Sequence, residues 1–180
     1  PKMTRNEVKA YGAKLSELAK WSKDQGVVLS YHHHMGAMVQ DAEDIDWLME
    51  GSTEDLTLLY DTGHLHFAGA DPVAVLDKWG HRVHHVHFKD VRQAVLDWVK
   101  SEDKSFLDGV AAGVYSVPGD PEGCIDFQTI TDRLKAMEYE GWIVVEAEQD
   151  PAKAPPFKYS KMGFDYIVDI SGCSGLTIER

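Results

Sequence analysis

The sequence predicts an α/β protein built on a parallel sheet with crossover helices. Three observations carry this expectation. One helical pattern is followed by four rounds of strand and helix, the strand segments read as near-continuous apolar runs, and each strand runs into a polar cluster containing His, Asp or Glu.

Taken in order, Thr4-Arg5-Asn6-Glu7 is a capping-box pattern, and Val8, Tyr11, Leu15, Leu18 and Ala19 recur at helical spacing before Gly26. That predicts a helix over 4–23. Residues 27–31 form a short apolar run rich in β-branched residues, the first strand, leading into His32-His33-His34-Met35-Gly36. Asp41 or Asp44 starts a second helix through Ile45, Leu48 and Met49, closed by Gly51. The second strand, 56–60, runs into Asp61-Thr62-Gly63-His64. Asp71-Pro72 is an N-cap with proline at the first helical position, and Val73, Leu76 and Trp79 line that helix up to Gly80.

The third strand lies in 82–90, where His85, His87 and Lys89 fall on one face and Val86 and Phe88 on the other. A helix is expected over 91–100. The segment 106–115 is apolar without a clear period, and Val117-Pro118-Gly119-Asp120-Pro121-Glu122-Gly123 is turn material. Asp126 caps a helix with Ile130, Leu134 and Met137 on one face, ended by Gly141. The fourth strand, 142–145, runs into Glu146-Ala147-Glu148-Gln149-Asp150, and Pro155-Pro156 opens a last helix through Phe157, Tyr159, Met162 and Tyr166. Residues 171–180 read as a C-terminal tail, and Gly36 and Gly63 as loop glycines with positive φ.

Composition narrows the function. The 180 residues are 43% hydrophobic and 27% charged, which is ordinary material for a single domain. A net charge of −12, with no basic run, argues against nucleic acid and anionic membranes as partners and suits a small-molecule substrate. No apolar run approaches the roughly 20 residues of a membrane span, and Cys124 and Cys173 are isolated. The expectation is a soluble protein of the reducing cytoplasm. Four strands cannot close a (β/α)8 barrel, which takes about 250 residues, and an open half leaves parallel edges unpaired. The sequence starts at Pro1 with a helix already feeding a strand, so the expected partner is an absent N-terminal half or a second copy.

Each predicted strand ends in a metal-capable side chain: His32 or His34, Asp61, His87 and Glu146. One such histidine alone reads as a core residue satisfied by backbone, whereas four at equivalent positions on one sheet edge read as a site. Two imidazoles with two carboxylates suit a divalent cation such as Mn, Co or Zn. Glu148 shares the face of Glu146 and reads equally well as a solvated loop residue. His33 has the opposite parity to His32 and His34, which makes it structural or surface.

His32-His33-His34-Met35-Gly36, Tyr60-Asp61-Thr62-Gly63-His64, His85-Val86-His87-Phe88-Lys89-Asp90, Val117-Pro118-Gly119-Asp120 and Val145-Glu146-Ala147-Glu148-Gln149-Asp150-Pro151 together resemble the inosose dehydratases, a family of the xylose-isomerase-like sugar isomerase and epimerase barrels. The resemblance spans residues 4–167 and is to the C-terminal half, strands five to eight of a TIM barrel, so that 1–170 would be half of one barrel domain. It implies dehydration of 2-keto-myo-inositol to a trihydroxycyclohexanedione in inositol catabolism, with Mn or Co. It also implies metal ligation by Asp61, His87 and Glu146. Where many relatives carry Glu this sequence has His32, aligned by Gly36, which is then a ligand or an acid or base beside the metal.

Dehydration beside a ketone removes a proton from the α carbon and expels a hydroxyl from the β carbon, through an enolate that a Lewis-acidic metal stabilises. His34 and His64 are the expected base and acid, in either order, with Lys89 as a charge near the enolate or the substrate hydroxyls. A sugar isomerase or epimerase of the same barrels would use the same metal and enolate. An inactive half-barrel that only binds metal or sugar is the rival from outside enzymology.

Overall fold

Thr4 starts the first helix as predicted, in a computed structural model that describes residues 2–179. Its hydroxyl accepts from the Glu7 N–H while the Glu7 carboxylate accepts from the Thr4 N–H, and α1 (Arg5–Asp24) runs until Gly26 turns the chain with φ +84°. The chain divides into two compact units, one ending at Val86 and one beginning at His87.

In the first unit α1 is followed by β1 (Leu29–His32), α2 (Ala42–Glu50), β2 (Leu56–Asp61), α3 (Thr62–Phe67) and α4 (Pro72–Trp79). A short 3₁₀ turn, Gly80–Arg82, then leads into β3 (Val83–Phe88). β1 pairs in parallel with β2, from Leu29 opposite Leu56 to His32 opposite Leu59, and β3 flanks β2 on its other side. Leu56, Leu58 and Tyr60 of β2 are fully buried with Ile45 and Leu48 of α2, which is the helix-covered face of a parallel sheet. Asp41 is the N-cap of α2, closing a second capping box with Asp44. Arg82 is buried and donates to the Leu56 and Thr53 carbonyls, so it stands in the turn before β3 and not in the strand.

Two glycines let α1 and α2 cross closely. A Cβ at Gly12 would stand 2.7 Å from the Leu48 carbonyl oxygen, and one at Gly51 2.5 Å from the Lys9 Cα. The loop glycines divide. Gly36 has φ +81° as expected, but Gly63 lies inside α3 outside the left-handed region, because Asp61-Thr62-Gly63-His64 is a helix N-terminus and not a loop.

The second unit takes in the end of β3, then β4 (Asp90–Val91), α5 (Gln93–Ser101), α6 (Phe106–Ala112), β5 (Tyr115–Ser116), α7 (Phe127–Ala136), β6 (Trp142–Val145) and α8 (Pro156–Ser174). β6 neighbours β3, and the Glu146 N–H donates to the Phe88 carbonyl at 3.2 Å. β4 and β5 form an antiparallel pair that takes Val91 out of the helix expected there. The unplaced 106–115 segment resolves into α6, capped by Ser105 and ended by Gly113 at φ +89°, and into β5. α7 stops at Ala136, short of Gly141, because Glu138 takes φ +56° and the Tyr139 N–H closes on the Leu134 carbonyl. Phe88 packs on Phe127 with ring centroids 5.0 Å apart, and Gly163 lets α8 approach β6, since a Cβ there would meet Val145 Cγ1 at 2.5 Å. α8 runs into the predicted tail as far as Ser174; the last residue of that tail, Arg180, lies outside the described residues. Among the described residues no helix is long and apolar enough to cross a membrane.

Gly12→Ala and Gly51→Ala are each expected to destabilise the fold by about 1–3 kcal/mol through overpacking, and the double variant by less than the sum because both relieve one crossing. Gly36→Ala, which meets open space, should cost about 1–2 kcal/mol from its left-handed backbone alone. Urea unfolding of the four variants checks this, and unchanged midpoints for Gly12→Ala and Gly51→Ala would refute the close-crossing account.

Candidate active site

In the first unit β1 and β2 deliver four predicted residues to one place. Asp61, the last residue of β2, is fully buried and splits the work of its carboxylate. Oδ1 accepts the His64 N–H at 2.8 Å as the N-cap of α3, and Oδ2 stands 3.4 Å from His32 Nε2. The cap is what turns His64 back toward the strand ends. Donor atoms of His32, Asp61 and His64 lie within 4.8 Å of one another, a set able to hold a divalent ion. His33 points the other way, as its parity required: it is fully buried, and its Nε2 accepts the Asp61 N–H at 3.3 Å.

The rings of His34 and His64 lie with centroids 3.8 Å apart and planes tilted by 42°, and the backbone of Met35 sets their tautomers. A carbonyl can only accept, so His34 Nδ1, 2.7 Å from the Met35 oxygen, carries its proton and leaves a lone pair on Nε2. An amide N–H can only donate, so His64 Nδ1, reached by the Met35 N–H at 3.4 Å, is an acceptor and the neutral ring carries its proton on Nε2.

In the second unit His87, Lys89, Glu146 and Glu148 come together. Glu146 Oε2 lies 2.8 Å from His87 Nδ1 and 3.0 Å from Lys89 Nζ, and Glu148 Oε2 lies 3.0 Å from the same ammonium. Lys89 is fully buried, with Nζ 4.9 Å from the centre of the Tyr115 ring. A charge buried this deeply needs counter-charge, and two carboxylates with an aromatic face supply it. Glu148 is therefore half-buried in an ion pair and not a solvated loop residue; its shared parity with Glu146 was the signal for this.

A second polar network lies behind this cluster. Asp90 Oδ1 accepts from the N–H groups of Val91, Cys124 and Ile125, and Gly123 is required beside it, since a Cβ there would collide with the carboxylate. Burial outweighs those three donors and pushes the Asp90 carboxyl up to about 6. Arg92 donates to Asp120 at 2.6 Å and to the Gly113 carbonyl at 3.0 Å, and the Ser116 hydroxyl also donates to Asp120. Burial alone would raise the Asp120 carboxyl, but the Ser116 hydroxyl, the Glu122 N–H and the Arg92 guanidinium override it and hold it below the usual carboxylate range. Burial, then the Asp90 and Asp97 carboxylates, push the Cys124 thiol up to about 11, which disfavours a thiolate nucleophile. No sequence signal marked this network as a unit, because its members come from separate loops.

Polar clusters at the C-terminal ends of parallel strands, each strand followed by a covering helix, define an α/β protein of the repeated βα class. The chain belongs to the xylose isomerase-like TIM barrel family, whose family model matches residues 5–168. It is 50% identical over 159 residues to an inosose dehydratase of Clostridium beijerinckii, covering 88% of this chain and 53% of that protein. It is 43% identical over 179 residues to the rhizopine catabolism protein MocC of Rhizobium meliloti, covering 99% of this chain and 54% of that one. The chain thus spans about half the length of the curated relatives it matches. Among solved structures, the IOLI protein with a binding zinc atom shares the fold at TM-score 0.71 and 19% identity, over 97% of this chain and 60% of that one. The probable 3-DHS dehydratase AsbF of Bacillus anthracis does so at TM-score 0.68 and 16% identity, over 92% and 58%.

Asp90 makes stability depend on pH in a definite sense. The folded state holds its proton more tightly than the unfolded chain, so the stabilisation is complete below about pH 4 and is lost as pH rises through about 6. Urea unfolding of the parent and Asp90→Asn between pH 4 and 7 should show a difference that changes by up to about 3 kcal/mol. A pH-independent difference would contradict the raised carboxyl.

Proposed function

We propose that this chain carries the metal-binding and acid–base residues of an inosose dehydratase, a hydro-lyase that converts 2-keto-myo-inositol to a trihydroxycyclohexanedione in inositol catabolism. The observation that carries the reading is the close His34–His64 pair in opposite tautomers, beside an imidazole facing a carboxylate. Elimination needs a base and a separate hydrogen-bond donor, and this pair offers one of each. The likeness to the Clostridium beijerinckii enzyme supplies the substrate class.

His32 and Asp61 of the first unit and His87 and Glu146 of the second are the proposed ligands for divalent metal, with Mn or Co the first choice and Zn also suited. The donor set fits, because each unit already sets an imidazole against a carboxylate, at 3.4 Å for His32 and Asp61 and 2.8 Å for His87 and Glu146. When bound, the cation supplies Lewis-acid polarisation of the substrate carbonyl. The lone pair on His34 Nε2 takes the proton from the α carbon. The resulting imidazolium returns that proton to the β hydroxyl as the C–O bond breaks, so water leaves and the ring carbons keep the electron pair as a double bond. His64 Nε2–H orients an oxygen of the substrate, and the Lys89 ammonium opposes the charge that develops on the enolate oxygen.

The four βα units are proposed as the C-terminal half of a (β/α)8 barrel whose strands pair with an N-terminal half or a second copy. β1 is only half-buried along its length and Trp142 at the start of β6 is exposed, as expected of strands that take a neighbour. The proposed setting is the cytoplasm, which suits two cysteines that form no disulfide, with neither nucleic acid nor membrane as partner.

Incubation with 2-keto-myo-inositol and Mn or Co should yield the dione, and dialysis against a chelator should abolish turnover until metal is restored. An epimerised ketone with no loss of water would replace the dehydratase reading by the epimerase one. His34→Ala should lower the rate roughly 10²–10⁴-fold and abolish exchange of the α proton in heavy water. His64→Ala should lose roughly 10²-fold in dehydration while exchange persists. Equal loss of exchange in both variants would overturn the division of roles. In sedimentation, a well-folded monomer of this chain that unfolds cooperatively would refute the half-barrel proposal.

A further inference from the structure

Two of the motifs behind the family likeness, Val117-Pro118-Gly119-Asp120 and the Gln149 of the 146–150 run, have no part in the chemistry above, yet the structure ties them together. Residues 146–150 follow β6 without a strand ladder of their own. Their start is held by the Glu146 N–H on the Phe88 carbonyl at 3.2 Å. Their far end is held by the Asp150 carbonyl, which accepts from Lys153 and Ala154 at 2.9 and 2.8 Å. Between these anchors Glu148 has to stay 3.0 Å from the Lys89 ammonium.

The contact that pins the middle is Gln149. Its Nε2 donates to Ser116 Oγ at 3.4 Å, and Ser116 is fully buried on β5. A hydroxyl has one proton, and Ser116 gives it to the Asp120 carboxylate, so the remaining lone pairs can only accept. The donors that meet them are Gln149 Nε2 and Arg92 Nη2, the latter also at 3.4 Å. Asp120 cannot turn away to free that proton, because Arg92 holds it at 2.6 Å and the Glu122 N–H at 2.9 Å. The amide of Gln149 is thereby oriented with its NH₂ toward Ser116. Packing does not enforce this: a cavity of about 50 Å³ lined by Arg92, Gly113, Gln149, Lys153 and Tyr159 leaves the side chain room to move.

We propose that Gln149 is a positioning residue which, through Ser116, Asp120 and Arg92, fixes the 146–150 segment so that Glu148 stays on Lys89. The proposal rests on the reading of Lys89 as part of the active site, and its test has one arm that needs no turnover. That arm follows the ¹³C carboxyl resonance of Glu148, assigned by its loss in Glu148→Gln. In Gln149→Ala, and equally in the nearly isosteric Gln149→Glu, which has no donor for Ser116, the resonance should shift toward that of solvent-exposed glutamates. In the kinetic arm both variants should lose roughly 10- to 100-fold in kcat with KM nearly unchanged. Glu148→Gln combined with Gln149→Ala should be no slower than Glu148→Gln alone, since both act through one contact. A resonance and kcat in Gln149→Glu like those of the parent would overturn the proposal, as would a double variant slowed by the product of the single effects. If the parent shows no dehydratase turnover, the functional reading fails separately and the Glu148 resonance in the two Gln149 variants decides the positioning role; Gln149→Glu serves if Gln149→Ala does not fold.

Discussion

An ammonium group with no exposed surface has to be given counter-charge by the fold, and at Lys89 this requirement organises the second unit. β3 carries the lysine inward on the face opposite Val86 and Phe88, and β6 must end where Glu146 and Glu148 can both reach Nζ. β5 has to set the Tyr115 ring against the same group. Much of what looks irregular in this unit, including the short β4–β5 pair and the unladdered segment after β6, lies around that demand. The same carboxylate of Glu146 also faces His87, so one oxygen serves a structural charge and a ligand-capable imidazole together.

The first unit solves a different problem with backbone polarity. Asp61 ends a strand and begins a helix with one side chain: one oxygen caps α3, and the other is left toward His32. Because the cap fixes where α3 starts, it also fixes where His64 projects. Met35 then meets the two neighbouring imidazoles with groups of opposite hydrogen-bonding character, a carbonyl for His34 and an N–H for His64. The asymmetry that a base and a donor require comes from the direction of the chain and needs no further charged residue.

The two units also differ in how closely their helices approach. Gly12 and Gly51 bring α1 and α2 together backbone to backbone, whereas α8 reaches β6 through Gly163 alone. Tight crossings of this kind leave little freedom for β1 and β2 to shift, which matters for residues that act only when held within a few tenths of an ångström of their partners.

Local physics was legible from residue order. The capping box at Thr4, an aspartate start for the second helix and the Asp71-Pro72 helix start depend on neighbours within a few positions, and those helices stand where the signals put them, with the structure choosing Asp41 over Asp44; the first strand is displaced, to Leu29–His32 from the expected 27–31. The strand ends were legible for the same reason, since alternation set His33 apart from His32 and His34, although it left His33 as structural or surface and only the structure shows it buried. The tertiary structure decided what required distance through space. Glu148 meets Lys89 from 59 positions away, and Arg92 reaches Asp120 and Tyr159 from 28 and 67. It decided Gly63 and α3 as well, where a glycine that resembled a turn residue belongs to a helix capped by Asp61. Periodicity and capping repeat along the chain and can be read there, but the burial of a charge and the choice of its partners exist only once separate segments have been brought together.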